Sequence, residues 1–318
     1  MSSPMDWLSR LLEMMPVRGH LDLHCSYGAP WRIDQAAAGA GEIAYHAVVS
    51  GSAVLEDPAG GPPRRLVAGD ILLLPDGLRH ILHDGGGVSP VAAHERMRLN
   101  LMVSENVGTG DRLDLLCGRF VLTPPHDRVL RGYLPPRLVV HTARPGSSTD
   151  EPGTGVQLAS LVSVMRIEAA ADNLGGRAML NALSTAMFAL ALRLASEAEE
   201  APAGLLALAG HGRLAPALAV MFNEPAHPWS LPELARLCNM SRATLVRHFQ
   251  EKLGRSASEL LMDIRMTVAA NQLSKTSASV GAVADAAGYQ SEAAFQRAFK
   301  QHMGMTPARW RREAHSPS

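Results

Sequence analysis

Leu231-Pro-Glu-Leu-Ala-Arg-Leu-Cys-Asn-Met-Ser-Arg-Ala-Thr-Leu-Val-Arg-His-Phe249 is followed by Val280-Gly-Ala-Val-Ala-Asp-Ala-Ala-Gly-Tyr-Gln-Ser-Glu-Ala-Ala-Phe-Gln-Arg-Ala-Phe299, and the two stretches share one pattern. In the first, Leu231, Leu234, Ala235 and Leu237 give a short helix an apolar face and Cys238-Asn-Met240 makes a turn. Ser241 then caps a second helix with Leu245 and Phe249 facing inward. In the second, Val280, Val283, Ala284 and Ala287 form the face, and the following helix runs from Ser291 through Phe295 and Phe299. Gly288 makes its turn, since glycine alone takes positive φ without steric cost. Both copies leave by the same exit, Lys252-Leu-Gly254-Arg-Ser-Ala and His302-Met-Gly304-Met-Thr-Pro. Each copy reads as a helix-turn-helix unit.

Between them, Ala257 to Leu273 reads as one amphipathic helix with Leu260, Leu261, Ile264, Val268, Ala269 and Leu273 as its stripe and Arg265 outward. Such a helix holds the units at a fixed separation, so that their second helices can enter successive major grooves on one face of a duplex. A helical bundle with no ligand shows the same periodicity, and charge separates the two readings. The whole chain is neutral, with 30 Lys plus Arg and 30 Asp plus Glu. From Pro225 onward, however, nine Arg and three Lys face seven acidic residues, a balance of about +5 that leaves about −5 for the rest. A basic C-terminal domain hidden in a neutral chain fits phosphate contacts.

Residues 211 to 312 resemble the DNA-binding domain of the AraC/XylS family of bacterial transcription regulators. The family's closing signature is matched by Ala286-Ala-Gly-Tyr-Gln-Ser291, Phe295, Arg297, Phe299-Lys300, Gly304-Met-Thr-Pro307 and Arg309. Ala257 stands where the first copy often has a proline like Pro307, a departure expected to alter a helix start slightly and not the function. By position, the resemblance implies that Arg242, Ala243, Thr244 and Arg247 of the first recognition helix contact bases and phosphates, as do Gln290, Ser291, Glu292, Gln296, Arg297 and Lys300 of the second. Arg247 and Arg297 are the expected base readers, because arginine pairs bidentately with guanine O6 and N7. Ala243 offers a methyl group, and Lys300 reads equally well as a phosphate contact or a solvated charge. The implied partners are double-stranded promoter DNA and RNA polymerase.

Residues 1 to about 150 differ in texture. Short alternating runs, Glu42 to Val49, Gly51 to Glu56, Arg65-Leu-Val67 and Asp70 to Leu74, are punctuated by turns at Asp57 to Pro63 and Pro75-Asp-Gly77. Many short strands argue a jelly-roll barrel. Gly69-Asp70, Leu74-Pro75 and His80, with Tyr45-His46 to Gly51, resemble the two halves of a cupin, whose usual role beside an AraC-type domain is effector sensing. The fold class is therefore α+β: residues 1–150 a cupin-like sensor, 151–205 a helical dimerisation segment and linker, 206–318 the DNA-binding domain.

In the middle segment, Leu158, Leu161, Val162, Met165 and Ile167 lie on one helix and Met179 to Leu194 on another, split by Asp172-Asn-Leu-Gly-Gly176. The run Ala182 to Leu192 falls short of the ~18 residues a membrane span needs, so the helix reads as buried and no membrane partner is expected. A helix apolar on more than one face needs a second partner, and the family resemblance implies a homodimer. Gly204 to Gly210 reads as the link to the DNA-binding domain. Met1-Ser-Ser-Pro-Met-Asp-Trp7 lacks the pattern of a signal peptide, so the protein is expected to be cytoplasmic, with its three cysteines as thiols.

Cys238 sits in a turn that wants a small apolar residue, while Cys25 and Cys117 lie on strand-like stretches of the sensor. His20, Asp22 and His24 flank Cys25, and a nearby imidazolium would favour its thiolate. Two buried, inert thiols are the plain alternative. Met5 to Leu12, Cys25 with Gly28 and Trp31, His46-Ala47, Pro75 to His80 and Cys117-Gly118 resemble the sensors of regulators that respond to reactive chlorine species. That resemblance implies an activator switched by oxidation of Cys25 and Cys117, with a sulfenic or chlorinated intermediate resolved as a disulfide. Two other readings stay open. His46, His80 and His83 with Cys25 and Cys117 are candidate ligands for zinc or another transition metal, although no cofactor is required and Tyr45-His46-Ala47-Val48 lacks the usual second cupin histidine. A small organic effector in the barrel is the third. A cupin enzyme would need a facial triad such as His46, His80 and Glu56, and the fused DNA-binding domain argues for no enzyme. Gly60-Gly61 and Gly85-Gly-Gly87 lack the spacing of a phosphate-cradling loop.

Overall fold

The computed structural model describes residues 6–56, 61–123, 126–142 and 153–315. The first five residues and most of the turn expected at Asp57 to Pro63 lie outside them. Twelve helices and eleven strands are present among the described residues, in two compact units.

One unit spans Val17–Leu122 and Leu134–Glu197. Its strands are β1 (Val17–Gly28), β2 (Arg32–Gln35), β3 (Glu42–Ser50), β4 (Ser52–Glu56), β5 (Arg64–Val67), β6 (Asp70–Leu74), β7 (His80–His83), β8 (Ala93–Met97), β9 (Met102–Asn106), β10 (Arg112–Leu122) and β11 (Leu138–His141). They build a seven-stranded sheet in the order β11-β6-β3-β10-β1-β9-β8 and a four-stranded sheet in the order β2-β7-β4-β5. Only the β1–β9 pair is parallel among the described strands. The facing sheets enclose one core: Cys25, Tyr27, Val48, Leu72, Leu74, Leu113, Leu115 and Cys117 from the larger, Ala53, Leu55, Leu66 and Leu82 from the smaller. This is the cupin-type sandwich expected from the alternation of short runs.

Helices α3 (Thr154–Ala170) and α4 (Gly176–Ser196) pack with the larger sheet and with each other. Gly19 permits the approach of α4, since a Cβ there would lie 2.4 Å from the Thr185 backbone nitrogen. The Gly19 N–H instead donates to Thr185 Oγ1 at 2.8 Å. Tyr45 and Ser184 share a buried hydroxyl–hydroxyl bond of 2.8 Å, and Phe120 lies between the Tyr45 and Phe188 rings with centroids 4.7 Å from each. By length and composition α4 could cross a membrane, yet Leu180, Ser184, Met187, Phe188, Ala191 and Leu192 are buried inside this unit. Ile167, expected on the inward stripe of α3, is 66% exposed. The inward face runs Leu158, Val162, Met165, Ala169, and two residues beyond Met165 a 3.6-residue period has carried the chain to the opposite side.

The other unit comprises Met1–Pro16, Thr123–Tyr133 and Ala198–Ser318. Its helices are α1 (Trp7–Met14), α2 (His126–Tyr133), α5 (Leu205–Ala209), α6 (Ala215–Asn223), α7 (Leu231–Leu237), α8 (Arg242–Leu253), α9 (Ala257–Lys275), α10 (Val280–Ala286), α11 (Glu292–Met303) and α12 (Pro307–His315). Two segments that precede and follow barrel strands, α1 and α2, thus cluster with the C-terminal helices. Asn271 Nδ2 donates to the Met14 carbonyl at 2.6 Å, and the Tyr133 hydroxyl donates to Asp263 beneath the Arg255 guanidinium. Gly204 to Gly210, read as a link, is mostly the short helix α5 with Leu205, Leu206, Ala207 and Leu208 buried; four apolar residues in a row are too costly to leave in water.

The duplication is exact in its hardware. Ser230 and Ser279 cap the first helices, Ser241 and Ser291 the second, and Gly254 and Gly304 end them in the left-handed region. Within the turns, Asn239 (φ 49°) and Gly288 (φ 78°) take the positive φ that the sharp bend needs. The departure at Ala257 leaves the helix start unmoved: α9 begins at Ala257 as α12 begins at Pro307, because Ser256 and Glu259 form a capping box that replaces the proline's constraint. Gly288 also lies against the chain, with a Cβ there 2.4 Å from the Ala226 carbonyl oxygen, whereas Gly304 (φ 79°) has open space. Gly304→Ala should therefore lose about 1 kcal/mol of stability from its left-handed backbone alone, and Gly288→Ala about 3 kcal/mol or more, since backbone must also move. Denaturant midpoints of the two variants check the order.

Candidate functional site

The recognition surface follows from the repeat. Leu245, Phe249 and Leu253 turn α8 inward, as Phe295 and Phe299 turn α11. What remains outward is Arg242, Ala243, Val246, Arg247 and Gln250 on α8, and at the same positions Glu292, Ala293, Gln296, Arg297 and Lys300 on α11. Arg247 and Arg297 are thus one position in two copies. Arg247 Nε lies 3.7 Å from Glu251 Oε1, and Gln296 donates to Glu292 at 2.8 Å. Thr244 is half-buried and its hydroxyl pairs with that of Ser241 at 2.8 Å. The Ser291 hydroxyl accepts the Ala294 N–H as a helix cap, and Gln290 is exposed in the turn before it. Val246, 49% exposed between the arginines, and Gln250 and Ala293 also face outward; these three were not among the positions the resemblance implied, although the outward side of the 3.6-residue period includes them.

The second constellation is buried in the sandwich. β10 runs between β1 and β3, so Cys117 stands opposite Leu23 on one side and His46 on the other, while Cys25 stands opposite Leu115. The two cysteines are diagonal neighbours on one face and lie in the same core; the Cys25 thiol beside it, then burial, holds the Cys117 thiol well above its ordinary pKa. Tyr27, in the same core, donates its hydroxyl to Ser104 Oγ at 2.7 Å. Diagonal Cα atoms in such a ladder lie ~7–8 Å apart, at the edge of the ~7 Å that a disulfide bridges without backbone movement.

The imidazoles beside the thiols are not those adjacent in sequence. His24 alternates to the other face of β1, where Nε2 meets Asp114 Oδ1 at 2.7 Å; Asp22 pairs with Arg119 at 2.8 Å; and His20 lies beyond the bulge between Leu21 and Leu23. Contrary to the expectation from sequence, no imidazole adjacent to Cys25 along β1 lies beside its thiol. Instead His46 Nδ1 lies 3.0 Å from Cys117 Sγ, His46 Nε2 2.7 Å from His80 Nε2, and His80 Nδ1 3.2 Å from the Leu78 carbonyl oxygen. Both rings are 2% exposed. Desolvation, then the neighbouring His80, lowers the His46 pKa to about 3, and desolvation lowers that of His80 as well.

This arrangement does not fit a metal ion. Cys117 and His80 occupy opposite nitrogens of the His46 ring, and one imidazole cannot turn both toward the same ion. His83 faces away from His80 on β7 and lies 3.3 Å from Glu56, which also pairs with Arg32. Among the described residues no group of three or more His, Cys, Asp or Glu is placed to hold a metal. The same geometry places Glu56 with His83 and not with His46 and His80, so these three form no facial triad. Cys238 is buried in the helix-turn-helix turn, as its sequence context implied.

Two buried neutral histidines set a pH dependence. The folded His46 pKa lies below the ~6.5 of an unfolded histidine, so the unfolded state binds the extra proton. Its contribution is whole above pH ~6.5 and falls as pH drops toward 3, by about 1 kcal/mol at pH 5.5 from one such group, with His80 acting in the same direction. Denaturant titrations followed by tryptophan fluorescence between pH 8 and 5 should show this fall, and His46→Gln should flatten it.

A cupin family model matches residues 6–197 and a helix-turn-helix domain model residues 234–313. The chain is 30% identical over 312 residues to the HTH-type transcriptional regulator MtrA of Neisseria gonorrhoeae, covering 97% of this chain and 99% of that protein. It is 28% identical over 309 residues to an uncharacterized HTH-type transcriptional regulator of Haemophilus influenzae, covering 97% and 99%. To the RCS-specific HTH-type transcriptional activator RclR of Escherichia coli it is 27% identical over 307 residues, covering 96% and 97%. All three relatives are named as transcriptional regulators. With a cupin-type domain joined to a double helix-turn-helix domain, and regulators aligned along nearly its whole length, the chain belongs to the AraC family of DNA-binding transcription regulators.

Proposed function

We propose that this regulator is an activator switched by oxidation of Cys25 and Cys117, with hypochlorous acid or a related reactive chlorine species as the signal. The observation that carries the reading is the placement of two buried thiols as diagonal neighbours on adjacent antiparallel strands, a spacing at the edge of what a disulfide bridges without movement of β1 against β10. The name of RclR, an activator specific for reactive chlorine and aligned over 96% of this chain, supports the same signal. In a reducing cytoplasm both cysteines rest as thiols.

The output is sequence-specific binding to promoter DNA through α8 and α11, next to which RNA polymerase is recruited. Arg247 and Arg297 read bases, and Arg242 and Lys300 contact phosphates. A homodimer forms over α3 and α4, whose Val156, Val164, Ile167 and Met179 are 52%, 41%, 66% and 44% exposed; a second copy takes that apolar stripe out of water.

Two measurements test this. A non-reducing peptide map before and after a few equivalents of hypochlorous acid should gain a Cys25–Cys117 linked peptide, and Cys25→Ser should remove both the link and the oxidant's effect on DNA binding. Unlinked, unmodified thiols would overturn the redox reading and point to an organic effector. Arg297→Ala should weaken binding to the cognate promoter by about 1 to 3 kcal/mol and relax the preference at one base pair; unchanged affinity in a filter or anisotropy titration would remove Arg297 from the base readers.

A further inference from the structure

We propose that Cys117, and not Cys25, is the thiol that meets the oxidant, and that His46 and His80 form the relay that takes its proton. The inference rests on the redox reading of the pair, and adds to it an order of events and two positioning residues.

The hydrogen-bond directions follow from one fixed point. The Leu78 carbonyl only accepts, so His80 Nδ1 carries the hydrogen of the 3.2 Å bond between them. A neutral imidazole has a single N–H, which leaves His80 Nε2 bare and makes it the acceptor for His46 Nε2–H at 2.7 Å. His46 Nδ1 is then bare in turn, and its lone pair meets Cys117 Sγ at 3.0 Å. The S–H of Cys117 therefore donates into a chain of two imidazoles anchored on the backbone. Cys25 lies in the same core as Cys117 and Tyr27, its neighbour His24 is engaged by Asp114 on the other side of β1, and Asp22 acts against the Cys117 thiolate, which the relay must overcome.

Burial makes His46 a poor resting place for charge, and the chain removes that difficulty. As the Cys117 proton reaches His46 Nδ1, the proton on His46 Nε2 passes to His80 Nε2, so His46 stays neutral and the positive charge appears on His80. His80 is acted on favourably by Asp76 and Asp34 and unfavourably by Arg137, while His46 faces only Cys117 and His80 as titratable neighbours among the described contacts. The Cys117 thiolate attacks the chlorine of hypochlorous acid: the S–Cl bond forms, the O–Cl bond breaks, and hydroxide leaves and takes up the relayed proton as water. The Cys25 sulfur then attacks Cys117 Sγ, the S–S bond forms, chloride leaves, and the Cys25 proton is released. Two thiols give up two electrons, and chlorine passes from hypochlorous acid to chloride.

The test times Cys25–Cys117 linkage in the full-length protein by quenched mass spectrometry across pH 5 to 9, with monochloramine as a small neutral oxidant slow enough to follow. Cys25→Ser should leave Cys117 taking up oxidant at the wild-type rate, and Cys117→Ser should slow modification of Cys25 about tenfold or more. His80→Gln, checked for folding by its melting transition, should slow linkage at pH 7 by about tenfold to a hundredfold and shift the pH profile toward that of a thiol without a base. Cys25 reacting at full rate in Cys117→Ser, or an unchanged rate and profile in folded His80→Gln, would overturn the relay. No linkage in the wild type would instead overturn the redox reading beneath it. Should His80→Gln not fold, the two cysteine variants decide the order of attack alone.

Discussion

The placement of β10 between β1 and β3 is the constraint from which the sensor domain follows. A strand paired on both sides has its register fixed twice, and a slip of one residue would turn every side chain to the other face. With that register, Leu113, Leu115 and Cys117 enter the sandwich, and Cys117 stands diagonal to Cys25 on one neighbour and meets the ring of His46 on the other. On the sheet's other face Phe120 packs between Tyr45 and Phe188, so the strand that holds the thiols also seats α4. After Leu122 the chain continues to α2, whose Tyr133 bonds to Asp263 of α9, the helix between the two recognition units. A bond between Cys25 and Cys117 would pull on a strand with few independent degrees of freedom.

The DNA-binding unit rests on repetition. Each copy spends the same residues on the same tasks: serine to satisfy the first N–H groups, a positive-φ residue to turn, aromatic side chains to bury, glycine to stop the helix. What differs between copies is the outward face, where Arg242, Val246 and Gln250 correspond to Glu292, Gln296 and Lys300. Two frames of one geometry thus carry two different sets of contacts, which is what reading two successive stretches of a promoter requires.

Much of this was legible in the chain itself. Local rules settle caps, turns and amphipathic faces, so the helix-turn-helix units, the strand runs from Glu42 to Leu74 and the interruption at Asp172 to Gly176 could be read directly. The limits were equally physical. Ala257 differs from the proline of the second copy and still starts its helix at the matching position, because a capping box serves the same end. Gly204 to Gly210 has the composition of a link, and only its neighbours make it a buried helix. Ile167 shares a window with inward residues but not their angle.

The candidate site divides along the same line. By itself the sequence could only nominate candidates, Cys25, Cys117, His46, His80 and His83 in the sensor and the arginines of two recognition helices, from residue type, short-range period and family resemblance. Only the tertiary structure decided which of them meet. His24 is one residue from Cys25 and faces away, while His46 is 71 positions from Cys117 and touches it at 3.0 Å. Strand alternation separates neighbours in sequence, and strand pairing joins residues far apart, so the partner of a buried thiol is fixed by register, which no local pattern encodes.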